Sequence, residues 1–290
     1  MILYGHTGSG KTSYGQALAA RHPRSVLADR DVIPVIWFRA PMPFTPREFC
    51  IQALSSGYNV PAPTHALVVH DDRRPVYYER HTEAALRRRL LEAARIAETV
   101  VWIIDEIQHL QYGRGSLLEH LEWLKNLADE AGVMLVLTGT YEAIALTTLN
   151  AQLIRRFRPI LLDRYRTFRA KAPDADTRGF ATLIQGLEDR LPLPHRSNLV
   201  AEAPRMFRYT LGIVGLAKLL LTQSLDAALR HGRPIVPDDL DRYRLPDRQL
   251  SALARRIHLD ELREQPIADD HFTACTMPRP ARRVAAAGKR

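Results

Sequence analysis

The stretch GHTGSGKT, residues 5–12, constrains the fold more than any other part of the chain, because it fits the pattern G-x-x-x-x-G-K-[ST]. Such a loop belongs between a buried strand and a helix. Its glycines let successive backbone N–H groups turn toward phosphate oxygens, and the following helix adds the positive end of its dipole. Here the strand is MILY, residues 1–4, and the helix runs over residues 13–21 until His22-Pro23 ends it. Lys11 is then placed to reach the β and γ phosphates of a nucleotide, and the Thr12 hydroxyl to coordinate Mg²⁺. Gly5, Thr7, Gly8, Ser9, Gly10 and Ser13 complete the candidate nucleotide contacts.

Downstream, strand patterns alternate with helix patterns. DVIPVIWFRAP, residues 31–41, reads as one strand closed by proline, and VVWII and VMLVL have the length and composition of buried parallel strands. TPRE at residues 45–48 opens a helix that runs to about Gly57, with Thr45 as cap, Pro46 in the first turn and Glu48 able to reach back. Residues 60–78 are irregular and admit a hairpin at Asp71-Asp72, and residues 79–98 have helical spacing. Ser116 and Glu119 form a second capping box, and Gly132 ends that helix. Together these predict an α/β fold with a mostly parallel sheet covered by helices. From about Tyr165 the pattern is helical only: residues 176–191, residues 207–231 as one segment, and residues 237–243. Beyond Arg244 the chain reads as charged and irregular, ending in a basic tail, PRPARRVAAAGKR.

Three further places carry chemistry. IIDE ends the buried VVWII strand, and two desolvated acids there cost several kcal/mol unless a cation or proton compensates. Asp105 is thus a candidate Mg²⁺ ligand and Glu106 a candidate base that polarises an attacking water. LTGT places Thr140 at the tip of the next strand, either near a γ-phosphate or as a helix cap. QLIRRFRPI carries a pair of arginines, Arg155 and Arg156, before a short apolar strand, which is either a solvated surface or the place where an arginine is offered to a neighbouring subunit's nucleotide.

In order, GHTGSGKT, VVWIIDEIQHL, VLTGTYEA and QLIRRF resemble the AAA+ ATPases, and specifically the TniB/TnsC transposition regulators. The stretch TLGIVGLAKLL followed by ALRHGRPIVPDDL is similar to that family's lid. The resemblance implies a P-loop AAA+ core over residues 1–165, a helical lid over 166–243 and a basic extension over 244–290. It implies hydrolysis of ATP to ADP and phosphate, with Lys11, Glu106, Thr140 as sensor 1 and Arg156 as arginine finger. It also implies an ATP-dependent ring or filament of identical subunits on duplex DNA that chooses a target site and recruits a DDE transposase. Two departures stand out: Gly215 occupies the place of the lid's sensor 2 arginine, with Lys218 one turn on, and the first strand lacks the usual segment ahead of it. The expectation is a lost or missed N-terminal segment.

The net charge of +9 and pI near 9.8 favour a polyanionic partner, although with only five lysines among 41 basic residues the arginine excess also fits codon composition. QYGRGS, residues 111–116, is a loop from which Arg114 is able to contact a DNA backbone. The apolar runs are too short to span a bilayer, no secretion signal opens the chain, and two cysteines agree with a reducing cytoplasm. Eleven histidines lack metal-ligand spacing, so no zinc site is expected. Two other readings compete: a small-molecule P-loop kinase, which has no need of the Asp105-Glu106 pair, and an ATP-gated DNA scaffold that does not hydrolyse.

Overall fold

The computed structural model describes residues 1–27, 30–58, 82–143 and 157–262. Its chain divides into two compact units, Met1–Leu245 and Pro246–Arg290. In the first unit the short apolar runs form strands β1 (Ile2–Tyr4), β4 (Val35–Arg39), β5 (Val101–Asp105), β6 (Met134–Gly139) and β7 (Pro159–Leu161). They make one sheet in the order β4-β5-β6-β1-β7, every neighbour parallel. Parallel strands buried on their faces need no alternation of polar residues, and all three residues of β1 are buried.

The stretch read as one strand over residues 31–41 is two. Arg30–Val32 is β3, which pairs antiparallel with β2 (Ser25–Leu27) in a separate hairpin, whereas β4 joins the main sheet. Pro34 is the reason: it has no N–H for a ladder, and its carbonyl instead accepts from Val100 N and Val101 N at 2.9 and 3.1 Å.

Helices α1 (Lys11–Arg21), α2 (Pro46–Gln52), α3 (Glu83–Ile96) and α4 (Leu117–Ala131) flank the sheet. Thr45 caps α2 through Glu48 N at 3.1 Å, while the Glu48 carboxylate takes Arg47 rather than reaching back. The Ser116/Glu119 box on α4 is reciprocal, at 3.2 and 3.0 Å, and Gly132 closes α4 in the left-handed region. A π-helical turn, Ala53–Gly57, extends α2. Phe38, Phe44, Phe49, Leu86, Leu90 and Trp102 are fully buried between these elements, and each side chain of that size stabilises the fold by about 2 kcal/mol. The Trp102 indole N–H donates to Tyr58 Oη at 2.9 Å, so its burial leaves no polar debt. The hairpin expected near Asp71-Asp72 lies outside the described residues.

A second core gathers Phe180, Ile184, Met206, Leu220, Leu221 and Leu240 from α5 (Ala175–Glu188), α6 (Ala203–Thr210), α7 (Val214–Arg230) and α8 (Pro237–Tyr243). The segment read as a single helix over residues 207–231 is α6 and α7, bent apart by 113°. Leu211 and Gly212 both have positive φ, 52° and 72°, which no continuous helix permits.

The second unit also departs from the sequence reading. Residues after Arg244 were expected to be irregular, yet Asp247–Leu262 is a helix, α9. The Pro246 carbonyl accepts from Gln249 N and Leu250 N at 2.9 and 3.0 Å, which starts it. Leu, Ala, Arg and Glu, all good helix formers, then carry it despite the low apolar content. No single helix among the described residues is long and apolar enough to cross a membrane.

Candidate nucleotide site

The sheet's strands all end on one side, and the glycine loop leaves β1 there. Gly8 and Gly10 take positive φ, 83° and 102°, and α1 begins at Lys11. The Lys11 ammonium folds over the loop and donates to Gly5 O at 3.0 Å, His6 O at 2.7 Å and Ser9 Oγ at 3.4 Å. Burial pushes the Lys11 pKa down, opposed by the nearby carboxylates of Glu106 and Asp105. Its three hydrogen-bond acceptors there are neutral oxygens and not carboxylates, a setting that suits contact with an incoming anion.

β5 delivers Asp105, only 1% exposed, to the same end. Although β6 stands between β5 and β1, the Thr12 hydroxyl donates to Asp105 Oδ2 at 2.7 Å. Asp105 Oδ1 accepts from Thr138 Oγ1 and from Glu106 N, the latter at 3.0 Å. A buried carboxylate held by hydroxyls and one amide, next to a phosphate loop, is the donor set a hard divalent cation takes. Glu106 sits in the left-handed region (φ 58°), a conformation that costs a non-glycine residue about 1 kcal/mol. Thr140 Oγ1 is shielded from solvent and has no hydrogen-bond partner among the described residues. That is an orphaned group on a residue that lines a cleft, and it fits a bound phosphate or water as partner.

The cleft measures about 200 Å³. Thr7, Gly8, Gly10, Lys11, Thr12, Ser13, Glu106 and Thr140 line it from the sheet side, and Val214, Gly215 and Lys218 line it from α7. Gly5 and Ser9 stand behind it as acceptors of Lys11, and Asp105 stands behind it as the partner of Thr12. Arg155 and Arg156 lie outside the described residues.

α7 rests on the loop itself. Gly215 N donates to Gly8 O at 2.8 Å, and a Cβ at position 215 would stand 2.9 Å from Gly8 Cα. No side chain fits there unless the phosphate loop moves, which accounts for glycine where the resemblance looks for arginine. Lys218, one turn on, brings the cation to the cleft instead.

Reading the sequence missed Thr138 and Gln108. Thr138 precedes Gly139 on β6 and faces β5, and Gln108 follows Glu106 by two residues. The only signal for Thr138 was a polar residue closing the otherwise apolar run VMLVL, and Gln108 stands among other polar residues in DEIQHLQ. At the DNA-loop candidate, both ring nitrogens of His120 lie 2.9 Å from carbonyl oxygens, of Leu110 and Arg114. The loop backbone is pinned while Arg114 and Tyr112 remain exposed.

A parallel sheet with β6 inserted between β1 and β5, a glycine loop leading into α1, and helices resting on that loop define a P-loop AAA+ fold. Residues 1–147 match the AAA domain model, and the chain belongs to that family, the AAA+ ATPases. No curated protein matches it. Among solved structures it is similar to the Walker-type ATPase PABY2304 of Pyrococcus abyssi, with 16% identity and a TM-score of 0.52 over 91% of this chain and 69% of that one. It is also similar to Cdc6p of Pyrobaculum aerophilum, with 18% identity and a TM-score of 0.55 over 84% of this chain and 59% of that one. At these identities the likeness is one of fold.

Proposed function

We propose that this chain binds and hydrolyses ATP at the cleft between the glycine loop and α7, and that it assembles on duplex DNA when ATP is bound. One observation carries the reading of the site: Lys11, the Thr12–Asp105 pair, Glu106 and Thr140, whose hydroxyl has no partner among the described residues, gather at one cleft. Lys11 and the loop N–H groups hold the phosphates, and Glu106 takes the proton of the attacking water. Thr12 and Asp105 would hold Mg²⁺, which when bound neutralises charge on the phosphate oxygens. Thr140 orients the water or the γ-phosphate, and Arg156 serves a neighbouring subunit's nucleotide. The reaction is ATP and water to ADP and phosphate.

The DEIQHL, LTGTYEA and T-x-G-x-x-G motifs favour a role like that of the TniB/TnsC regulators: choosing a target site and recruiting a DDE transposase in the cytoplasm. In that reading residues 1–165 are the ATPase core, 166–243 the lid and 244–290 an extension with a basic end. The net charge and the pinned loop carrying Arg114 support contact with a DNA backbone, which is sequence-tolerant and salt-sensitive. The test is binding to a random-sequence duplex at fixed salt without nucleotide, with ADP, and with a non-hydrolysable ATP analogue plus Mg²⁺. Tight, cooperative binding with the analogue alone is the expected result. Equal binding in all three states removes ATP-gated assembly, and phosphate transfer to a metabolite without any DNA effect would favour a kinase.

A further inference from the structure

We propose that Gln108 is a positioning residue for the Glu106 carboxylate and ties it to the tip of β6. This rests on the reading of Glu106 as the base. The Gln108 side chain is 8% exposed and spans two elements of the site. Its Nε2 donates to Glu106 Oε2, and its Oε1 accepts from Thr140 N at 3.3 Å. These two contacts fix the amide's orientation. Turned over, it would set oxygen against carboxylate oxygen and N–H against N–H, losing both bonds.

β6 is shaped to admit that amide. A Cβ at position 139 would lie 2.8 Å from Gln108 Oε1 and 2.9 Å from Ile107 Cγ2, so Gly139 leaves the space in which the oxygen reaches Thr140 N. Glu106 is therefore held twice: its backbone N–H by Asp105 Oδ1, and its side chain by Gln108. Thr140, which lines the cleft, carries both the backbone N–H that Gln108 engages and a hydroxyl with no partner among the described residues. Whatever partner takes that hydroxyl also sets the place of the N–H, and through Gln108 the place of the carboxylate. Gln108 does not itself line the cleft, so it acts through Glu106 and not on the nucleotide.

The test uses the full chain with Gln108→Leu, Gln108→Glu, Glu106→Gln and the double variant Glu106→Gln/Gln108→Leu, measuring ATP turnover and affinity for a non-hydrolysable analogue with Mg²⁺. Gln108→Leu removes both hydrogen bonds at similar size, and Gln108→Glu keeps the acceptor while setting a second carboxylate against Glu106. Both should lower kcat by about a hundredfold, the scale of a catalytic group misplaced by an ångström. KM and analogue affinity should stay within about threefold of the parent protein, a difference of well under 1 kcal/mol. Adding Gln108→Leu to Glu106→Gln should lower turnover no further.

Parent-like kcat in either single variant, or a further loss in the double variant, overturns the proposal while leaving Glu106 as the base. Equal losses of kcat and analogue affinity also overturn it, since they mark a structural role. If Glu106→Gln hydrolyses ATP as fast as the parent, the reading of the base itself falls and this inference with it.

Discussion

Buried carboxylates occur on both sides of the Met1–Leu245 unit, and their partners differ in kind. Among the α5–α8 helices, Glu188 accepts from Ser197 N at 2.8 Å and Leu199 N at 3.0 Å. Asp239 takes Arg233 with two prongs, at 2.6 and 2.9 Å, and Val236 N at 3.0 Å. Those donors are backbone N–H groups and a guanidinium, which stay charged or fixed and hold loops in place. At the sheet's tip the side-chain donors are neutral and rotatable: Thr12 and Thr138 on buried Asp105, and Gln108 on half-buried Glu106. A hydroxyl can turn its lone pairs to a cation without leaving a charge behind, whereas a guanidinium cannot. The same residue type is structural in one place and available for chemistry in the other, and the donor makes the difference.

The sharpest way to break that comparison is to remove the ammonium that the glycine loop holds at the tip. Lys11→Ala should weaken binding of an ATP analogue with Mg²⁺ by about a hundredfold, the scale of one or two lost charge-assisted bonds. Calorimetry or fluorescence titration measures it. Parent-like affinity would mean that the ammonium is bound to its loop as permanently as Arg233 is to Asp239, and the contrast would dissolve.

A smaller effect tests where the two sides meet. At Gly215 the Cβ of Gly215→Ala would come within 2.9 Å of Gly8 Cα, so α7 or the loop must shift by a few tenths of an ångström. Analogue affinity should fall by about tenfold, the size of one disturbed phosphate contact. If affinity instead rises, glycine at this position is not set by the loop's approach, and a longer side chain such as arginine becomes admissible there.

How much of this was legible in the sequence follows the range of the signals. The glycine loop, the Thr45 and Ser116 caps and the Gly132 stop are local patterns, and the structure has each of them. Asp105 and Glu106 were legible as an acidic pair ending an apolar run. Their partners were not, because Thr138 meets Asp105 only through the pairing of β5 with β6, and Gln108 meets Thr140 N across the same gap. The break between α6 and α7 was hidden by an apolar periodicity that runs through Leu211, where only the positive φ of two residues interrupts it. Helix α9 was missed because charge density was taken for irregularity, although its residues are strong helix formers. Arg156, the residue read as reaching a neighbouring subunit, lies outside the described residues.

The smallest expected effect is a matter of sign in the pH dependence of stability. Hydrogen bonds from Arg233 hold the Asp239 carboxyl below its ordinary value of 3.8. Its folded pKa is therefore depressed, and the stability it contributes is present above 3.8 and lost as pH falls through the native value. Lys11 gives the same sign of slope, though from a cost relieved and not a gain lost: its pKa is lowered from 10.5 by burial, so the folded state releases the proton more readily than the unfolded state. The lysine's contribution thus improves as pH rises from the native value toward 10.5. Denaturant unfolding of the parent against Asp239→Asn should show a gap at neutral pH that closes in acid. The parent against Lys11→Met should show the parent gaining relative stability as pH becomes alkaline. A gap for Asp239→Asn that persists unchanged in acid would show that the carboxylate's charge is not what Arg233 holds, and the donor-based distinction between the two sides would lose its electrostatic half.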